Sequence, residues 1–100
     1  MNMSYKILQL KKNEEGRKYL FLRYNENDVP SKSLYNEVYS GEVEPSENVM
    51  GVLEGLYMTF NINRPADFKG HSLSVSDVVE LDGKYYYCDS FGYVELKNWK

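Results

Sequence analysis

The chain has one cysteine, one histidine and three prolines in 100 residues, and no long apolar run. Each scarcity excludes a class of protein. Cys88 has no second thiol to pair with, so no internal disulfide forms, and a domain this small that works outside the cell usually carries such staples. The expected location is the cytoplasm. Met1 to Leu10 mixes Asn, Ser, Lys and Gln with its apolar residues, which is not the pattern of a secretory leader. The Asn2-Met3-Ser4 sequon is then fortuitous. No segment approaches the ~20 apolar residues of a membrane span. One His and one Cys do not build a closed zinc site, and no acidic loop has calcium spacing. No glycine-rich loop leads into Lys-Ser or Lys-Thr, so no phosphate cradle is expected. Metal, cofactor and small-molecule substrate are all expected to be absent.

What is present fits one folded domain over residues 1–100. Hydrophobic residues at 42% are enough to fold the chain. Ten of the fifteen aromatic residues are Tyr, a side chain that packs its ring and keeps its hydroxyl wet, and so serves cores and interfaces alike. The net charge of −3 speaks against a general nucleic-acid binder. Its distribution says more. Residues 1–32 sum to +3, residues 33–63 carry five Glu and no Lys or Arg for −5, and residues 64–100 sum to −1. A stretch with only negative charge suits a basic partner surface. An ordinary solvated helix and loop has the same composition.

Along the chain, Ser4 to Lys12 reads as a strand with Tyr5 and Ile7 on one side and Lys6, Leu8 and Leu10 on the other. Asn13-Glu14-Glu15 is a turn or a capped helix start. Arg17 to Tyr24 alternates as a strand would, yet Leu20 and Tyr24 sit at i, i+4; a short helix is expected. Asn25 to Ser33, with Pro30, is loop. Leu34 to Val43 reads as a strand closed by Gly41. A helix then opens at Pro45-Ser46-Glu47, with Ser46 as N-cap and Glu47 complementing the dipole. Val49, Val52, Leu53, Leu56, Tyr57 and Phe60 form its apolar stripe, and Gly51 and Gly55 are expected to let a sheet approach closely. Asn61 to Gly70, with Pro65, is loop. Asp82-Gly83 between two β-rich runs signals a two-residue hairpin turn. It sets Leu81 opposite Lys84, Glu80 opposite Tyr85, Val79 opposite Tyr86, Val78 opposite Tyr87 and Asp77 opposite Cys88. The face bearing Val75, Asp77, Val79, Leu81, Tyr86 and Cys88 should cover the helix. The fold class is therefore α+β: a small antiparallel sheet with a C-terminal hairpin packed against one or two helices.

His71, Ser72, Ser74, Ser76, Asp77, Cys88 and Asp89 crowd one stretch, and the register sets Asp77 beside Cys88. A nucleophile needs its base within a hydrogen bond. His71 precedes the strand by several residues, at ~3.3 Å each, so no catalytic residue is assigned and the chain is expected not to be an enzyme. Cys88 should be buried and inert, His71 bonded to local backbone, the serines engaged with nearby backbone, and Asp77 in need of partners.

Phe60-Asn61 with Pro65, then Phe68-x-Gly70-x-Ser72-Leu73-Ser74-Val75-Ser76-Asp77-Val78-Val79, then Tyr87-x-Asp89-Ser90-x-Gly92, together with Tyr35-x-x-Val38-Tyr39-x-Gly41 upstream, resemble the YodL-like domain of Gram-positive bacteria and of their conjugative elements, plasmids and phages. The resemblance covers about two-thirds of the chain. It implies a compact α+β domain, here nearly stand-alone, in a mobile-element or regulatory setting, and it brings no catalytic residues with it. Gly70 to Val79 reads as a structural signature. Stand-alone acidic proteins of mobile elements often inhibit host defence, so the resemblance points to a non-enzymatic, anti-CRISPR-like inhibitor of a type II effector nuclease. In that role Glu37, Glu42, Glu44, Glu47 and Glu54 would face the basic guide-RNA or DNA groove, with exposed Tyr35, Tyr39 and Tyr85 as anchors.

Two other classes remain open. One is a housekeeping regulator that binds a cellular protein. The other is a nucleic-acid module using Lys11, Lys12, Arg17, Lys18 and Arg23 with Tyr19, Phe21 and Tyr24. The Tyr-rich hairpin could also serve as the edge of a homodimer.

Overall fold

A computed structural model describes residues 2–90 and 92–99. Five strands, β1 (Met3–Leu10), β2 (Tyr35–Val43), β3 (Val78–Leu81), β4 (Lys84–Asp89) and β5 (Gly92–Leu96), form one open antiparallel sheet in the order β2-β1-β3-β4-β5. A four-residue helix α1 (Glu14–Arg17) and a 3-10 turn (Lys32–Leu34) lie between β1 and β2, and helix α2 (Val49–Ile62) follows β2. The class is α+β, as the patterning implied.

The hairpin follows Asp-Gly chemistry. Asp82 and Gly83 both have positive φ (52° and 82°), the signature of a type I′ turn, and all four pairs from Leu81–Lys84 to Val78–Tyr87 stand in the expected register. The expected fifth pair does not form. Ser76 N–H donates to the Cys88 carbonyl (3.0 Å) and Cys88 N–H to the Asp77 carbonyl (2.8 Å), so two residues oppose one and the strand entry is a bulge.

Alternation sorts the sheet into two covered faces. Tyr5, Ile7, Val79, Leu81 and Tyr86 meet Leu53, Leu56 and Phe60 of α2 and Leu73. Leu8, Leu10, Tyr35, Val78, Tyr87 and Leu96 meet Tyr19, Tyr24, Val29, Leu34 and Trp99 on the other side. That second face is covered by irregular chain instead of a helix. Trp99 packs back: its indole N–H donates to the Pro30 carbonyl (2.8 Å), and its ring meets Tyr35 and Tyr85 edge-on.

Several local expectations are corrected. The expected helix over Arg17 to Tyr24 stops at Arg17; the chain turns, and Phe21 is left-handed (φ 63°), which no helix continues through. The N-cap of α2 is Asn48, whose side chain accepts from Gly51 N–H (3.1 Å). Ser46 instead accepts from Asn48 N–H (3.0 Å), so the helix starts two residues late and Glu47 precedes it. Tyr57 leaves the apolar stripe and is 42% exposed. Gly51 and Gly55 face outward and admit no sheet: the nearest group to a side chain at Gly51 is the Asn48 cap, and nothing stands within 4 Å of one at Gly55. Gly41 does not close β2; it lies inside the strand under the Tyr5 ring, where a Cβ would come within 2.7 Å of the hydroxyl.

The pairing of β1 with β2 slips between Ile7 and Leu8. Ile7 faces Tyr39, Leu8 faces Glu37, and Val38 is the extra residue. This bulge turns the strand over. Tyr35 and Tyr39, four residues apart and on one face of any regular strand, point to opposite faces, Tyr35 to the Trp99 side and Tyr39 to the α2 side.

Candidate functional site

Two groups of polar side chains stand out, one buried and one exposed. The buried group is built by the Ser72–Asp77 run. Asp77 N–H donates to the Ser74 carbonyl (3.0 Å), and Ser76, at the third turn position, has φ 84°; that is type II turn geometry, which favours glycine there. A serine is held in this conformation because every polar atom it has is engaged. Its N–H donates to Cys88, its Oγ accepts from Phe21 N–H (3.0 Å), and its carbonyl accepts from the Tyr35 hydroxyl (2.6 Å).

Asp77 is fully buried. Its Oδ2 accepts from Ser74 N–H (2.8 Å) and from the Gln9 amide (3.1 Å). Gln9 also receives His71 N–H on its Oε1 (3.2 Å) and donates to the His71 carbonyl (2.8 Å). Gly70 makes room for it, since a Cβ there would come within 2.4 Å of Gln9 Oε1. His71 Nδ1 lies 2.7 Å from the Ser72 carbonyl, an acceptor only, so Nδ1 carries a proton. His71 Nε2 then faces Asp77 Oδ1 at 3.8 Å, and each of these buried atoms lacks any hydrogen-bond partner. Burial pushes the Asp77 carboxyl up to about 8, against the lowering effect of its bonds from Ser74 and Gln9. A proton bound by this carboxyl would sit on Oδ1, because Oδ2 already accepts from two donors. Sequence reasoning asked for partners for Asp77 and found neither Gln9, 68 residues away, nor His71.

This cluster arranges no activated nucleophile. Burial pushes the Cys88 thiol up to about 12, with Asp77 adding to the effect. Ser74 Oγ donates to the Ser72 carbonyl (2.8 Å) and Ser76 Oγ is spent on Phe21. Ser-Leu-Ser-Val-Ser-Asp works as a joint that fixes the strand entry, α2 and the chain around Phe21 together. Among the described residues no group of three His, Cys, Asp or Glu could hold a metal, and no helix is long and apolar enough to cross a membrane.

The exposed group comes from the sheet register. Glu42 lies opposite Ser4, Asp82 N–H donates to the Ser4 carbonyl (2.9 Å), and Glu80 lies opposite Lys6. Glu44 and Glu47 follow in the exposed β2–α2 connection. Five carboxylates thus gather at one end of the sheet, with Lys6 and Lys84 as the nearby bases. Lys6 is bound to Glu37 (3.4 Å), and both side chains are about half exposed. Sequence reasoning found Glu42, Glu44 and Glu47 but missed Glu80 and Asp82. Only the antiparallel pairing of β1 with β3 brings them in.

The other expected partner residues scatter. Glu37 shares a sheet face with Lys6, opposite Leu8. Glu54 is exposed on α2, across the sheet. Tyr35 is buried (8% exposed) and is no exposed anchor; burial holds its hydroxyl well above the usual tyrosine range. Tyr39 is half-buried against Phe60 and Phe68 and donates to Asp67 (3.0 Å). Tyr85 stacks edge-on with Trp99 and has Lys32 Nζ 4.1 Å over its ring. Tyr35 thus belongs to the core, whereas Tyr39 and Tyr85 are half-buried. The Tyr-rich hairpin is not an edge either, because β3 and β4 are interior strands and β2 and β5 are the edges.

The basic residues of the first third fall at the opposite end, since Lys11, Lys12, Arg17 and Lys18 follow the last residue of β1. Of their aromatic companions, Tyr24 packs on Tyr87 and Tyr19 joins the same core, leaving Phe21 as the exposed ring. Compared with known families, the chain matches the YodL-like domain over residues 4–99. No curated protein and no solved structure matches it.

Proposed function

The chain belongs to the YodL-like domain family, and from that premise we propose that it acts without catalysis, by binding another protein through its acidic end. The partner we propose is the basic guide-RNA or DNA groove of a type II CRISPR effector nuclease, which would make this domain an inhibitor carried by a mobile genetic element in the cytoplasm.

The observation that carries this reading is the gathering of Glu42, Glu44, Glu47, Glu80 and Asp82 at one end of a rigid sheet. A groove built to hold phosphates offers Lys and Arg at phosphate spacing. Carboxylates fixed on strand ends and a tight turn meet such a groove with little ordering cost. The charge pattern also favours the approach, because Lys11, Lys12, Arg17 and Lys18 lie at the far end and an oriented dipole steers encounter.

A DNA-cleavage assay with a type II effector tests it, adding the protein before and after guide loading at two salt concentrations. Inhibition only when the protein is added first, weakened by salt and weakened roughly tenfold by Glu42→Lys with Glu44→Lys, supports competition for the guide site. No inhibition in either order sinks the nuclease reading and leaves a regulator of a cellular protein as the better account.

A further inference from the structure

The opposite end of the molecule carries an apolar surface that the acidic end does not use. Leu20, Phe21 and Leu22 are consecutive and exposed, at 38%, 61% and 37%. They do not hang on a loose loop. Phe21 N–H is held by Ser76 Oγ (3.0 Å), the Leu22 carbonyl by the Tyr87 hydroxyl (2.7 Å), and Tyr24 N–H by Asp89 (3.0 Å). Phe21 is kept left-handed (φ 63°), where a bulky side chain is strained, and such strain gathers where a surface is used. The result is a preformed knob with Arg17, Lys18 and Arg23 around it.

On the other face of the sheet, α2 and the β4–β5 end enclose a groove of about 410 Å³. Tyr57, Met58, Val75 and Tyr93 line it with Glu54 and with Asp89, whose Oδ1 is already engaged by Tyr24 N–H. Tyr57 and Met58 are 42% and 59% exposed, so among the described residues this side of α2 is unpartnered. The sheet separates knob from groove within one chain, so a knob cannot fill its own groove. Apolar matches apolar, and the basic flanks of one match the exposed Glu54 of the other.

We propose that this chain associates with a second copy of itself, with Leu20, Phe21 and Leu22 of one copy seated in the groove of the other. The contact is heterologous, one patch meeting a different patch, and it is small enough to belong to the weak, transient class. It leaves both acidic ends free, so an associated pair presents two of them.

Sedimentation velocity of the full chain from about 10 μM to about 1 mM, where weak interfaces populate, reads the association directly. The average mass should climb from 11.7 kDa through twice that value and beyond, because a heterologous contact leaves a free knob and a free groove on every pair. Phe21→Gly removes the ring and relieves the left-handed residue, so this variant should melt no earlier than the parent and yet remain monomeric. Tyr57→Ser with Met58→Ser changes only exposed positions and should also remain monomeric. Mixed together, the two variants should recover a one-to-one complex, because one supplies an intact groove and the other an intact knob. A parent that stays monomeric throughout, a variant that associates like the parent, or a mixture that stays monomeric would each overturn the proposal. So would a monomer whose knob instead binds anionic phosphatidylserine vesicles or a single-stranded oligonucleotide.

Discussion

The two faces of the sheet are covered by different physics. Under α2, aliphatic and aromatic side chains interlock: Leu53, Leu56 and Phe60 are at most 4% exposed, and Phe60 meets Tyr5, Tyr39 and Phe68 edge-on. Cohesion there is burial of apolar surface. Under residues 18–31 there is no helix to satisfy the backbone, so side chains do it. The Tyr35 hydroxyl holds the Ser76 carbonyl, Tyr87 holds Leu22, Ser76 holds Phe21 and Trp99 holds Pro30. Irregular chain can cover a sheet only where its buried polar groups find partners. Tyr35 and Tyr87 answer that need: each ring packs, and each hydroxyl ties down a backbone carbonyl.

The sharpest test of this difference is Phe60→Ala. It empties the centre of the helix-side core and should cost about 3–5 kcal/mol, measured by denaturant unfolding. The loop-side bonds should not compensate, since they lie on the other side of the sheet. A loss much below 1 kcal/mol would mean that burial under α2 is not what holds that face.

Asp77 joins the two faces, and its ionisation gives the next effect. Its folded value of about 8 lies above the ordinary 3.8, so the folded chain binds the proton more tightly than the unfolded one. The stabilisation is fully present below pH 3.8 and is lost as pH rises through about 8, at no more than about 1.4 kcal/mol per pH unit. Asp77→Asn, which mimics the protonated acid, should flatten this part of the profile, seen as thermal melts of the two proteins that agree at low pH and separate as pH rises. Parallel profiles would mean that Asp77 ionises in the fold as readily as in the unfolded chain.

Tyr35→Phe probes the loop side alone. The ring still packs on Trp99, but the buried Ser76 carbonyl loses its partner, at a cost of about 1–3 kcal/mol. Amide exchange should quicken at Phe21 and Tyr24, whose N–H groups depend on Ser76 and Asp89, and should be unchanged in α2. Equal loosening of α2 would show that the faces are not independent.

The same division explains what could be read from the chain. The helix-side face follows periodicity: the stripe from Val49 to Phe60 and the Asp-Gly register placed α2, β3 and β4 correctly, because one local rule sets each. The loop-side face follows pairings 41 to 69 residues apart, and no period announces them. The two bulges are the clearest losses. A one-residue slip at Val38 reverses every later side chain, so a period of two sends Tyr35 and Tyr39 to the same face. The acidic end was half legible. The run of glutamates after residue 33 is a sequence feature, whereas Glu80 and Asp82 join it only through the β1–β3 pairing.

Helix α2 offers the smallest test and isolates local propensity from packing. Gly55 lies in its interior, exposed, with nothing within 4 Å of an added side chain and no positive φ. The Thr59 hydroxyl bond to its carbonyl (2.9 Å) uses only backbone and survives substitution. Gly55→Ala should therefore raise stability by about 1 kcal/mol, through helix propensity and a less disordered unfolded chain. The gain should appear in unfolding and leave the melting of the loop-side contacts tied to Tyr35 unchanged. If Gly55→Ala instead lowered stability, something must approach α2 at that point, and the groove between α2 and β5 would be narrower in solution than its exposed Met58 and Tyr57 imply.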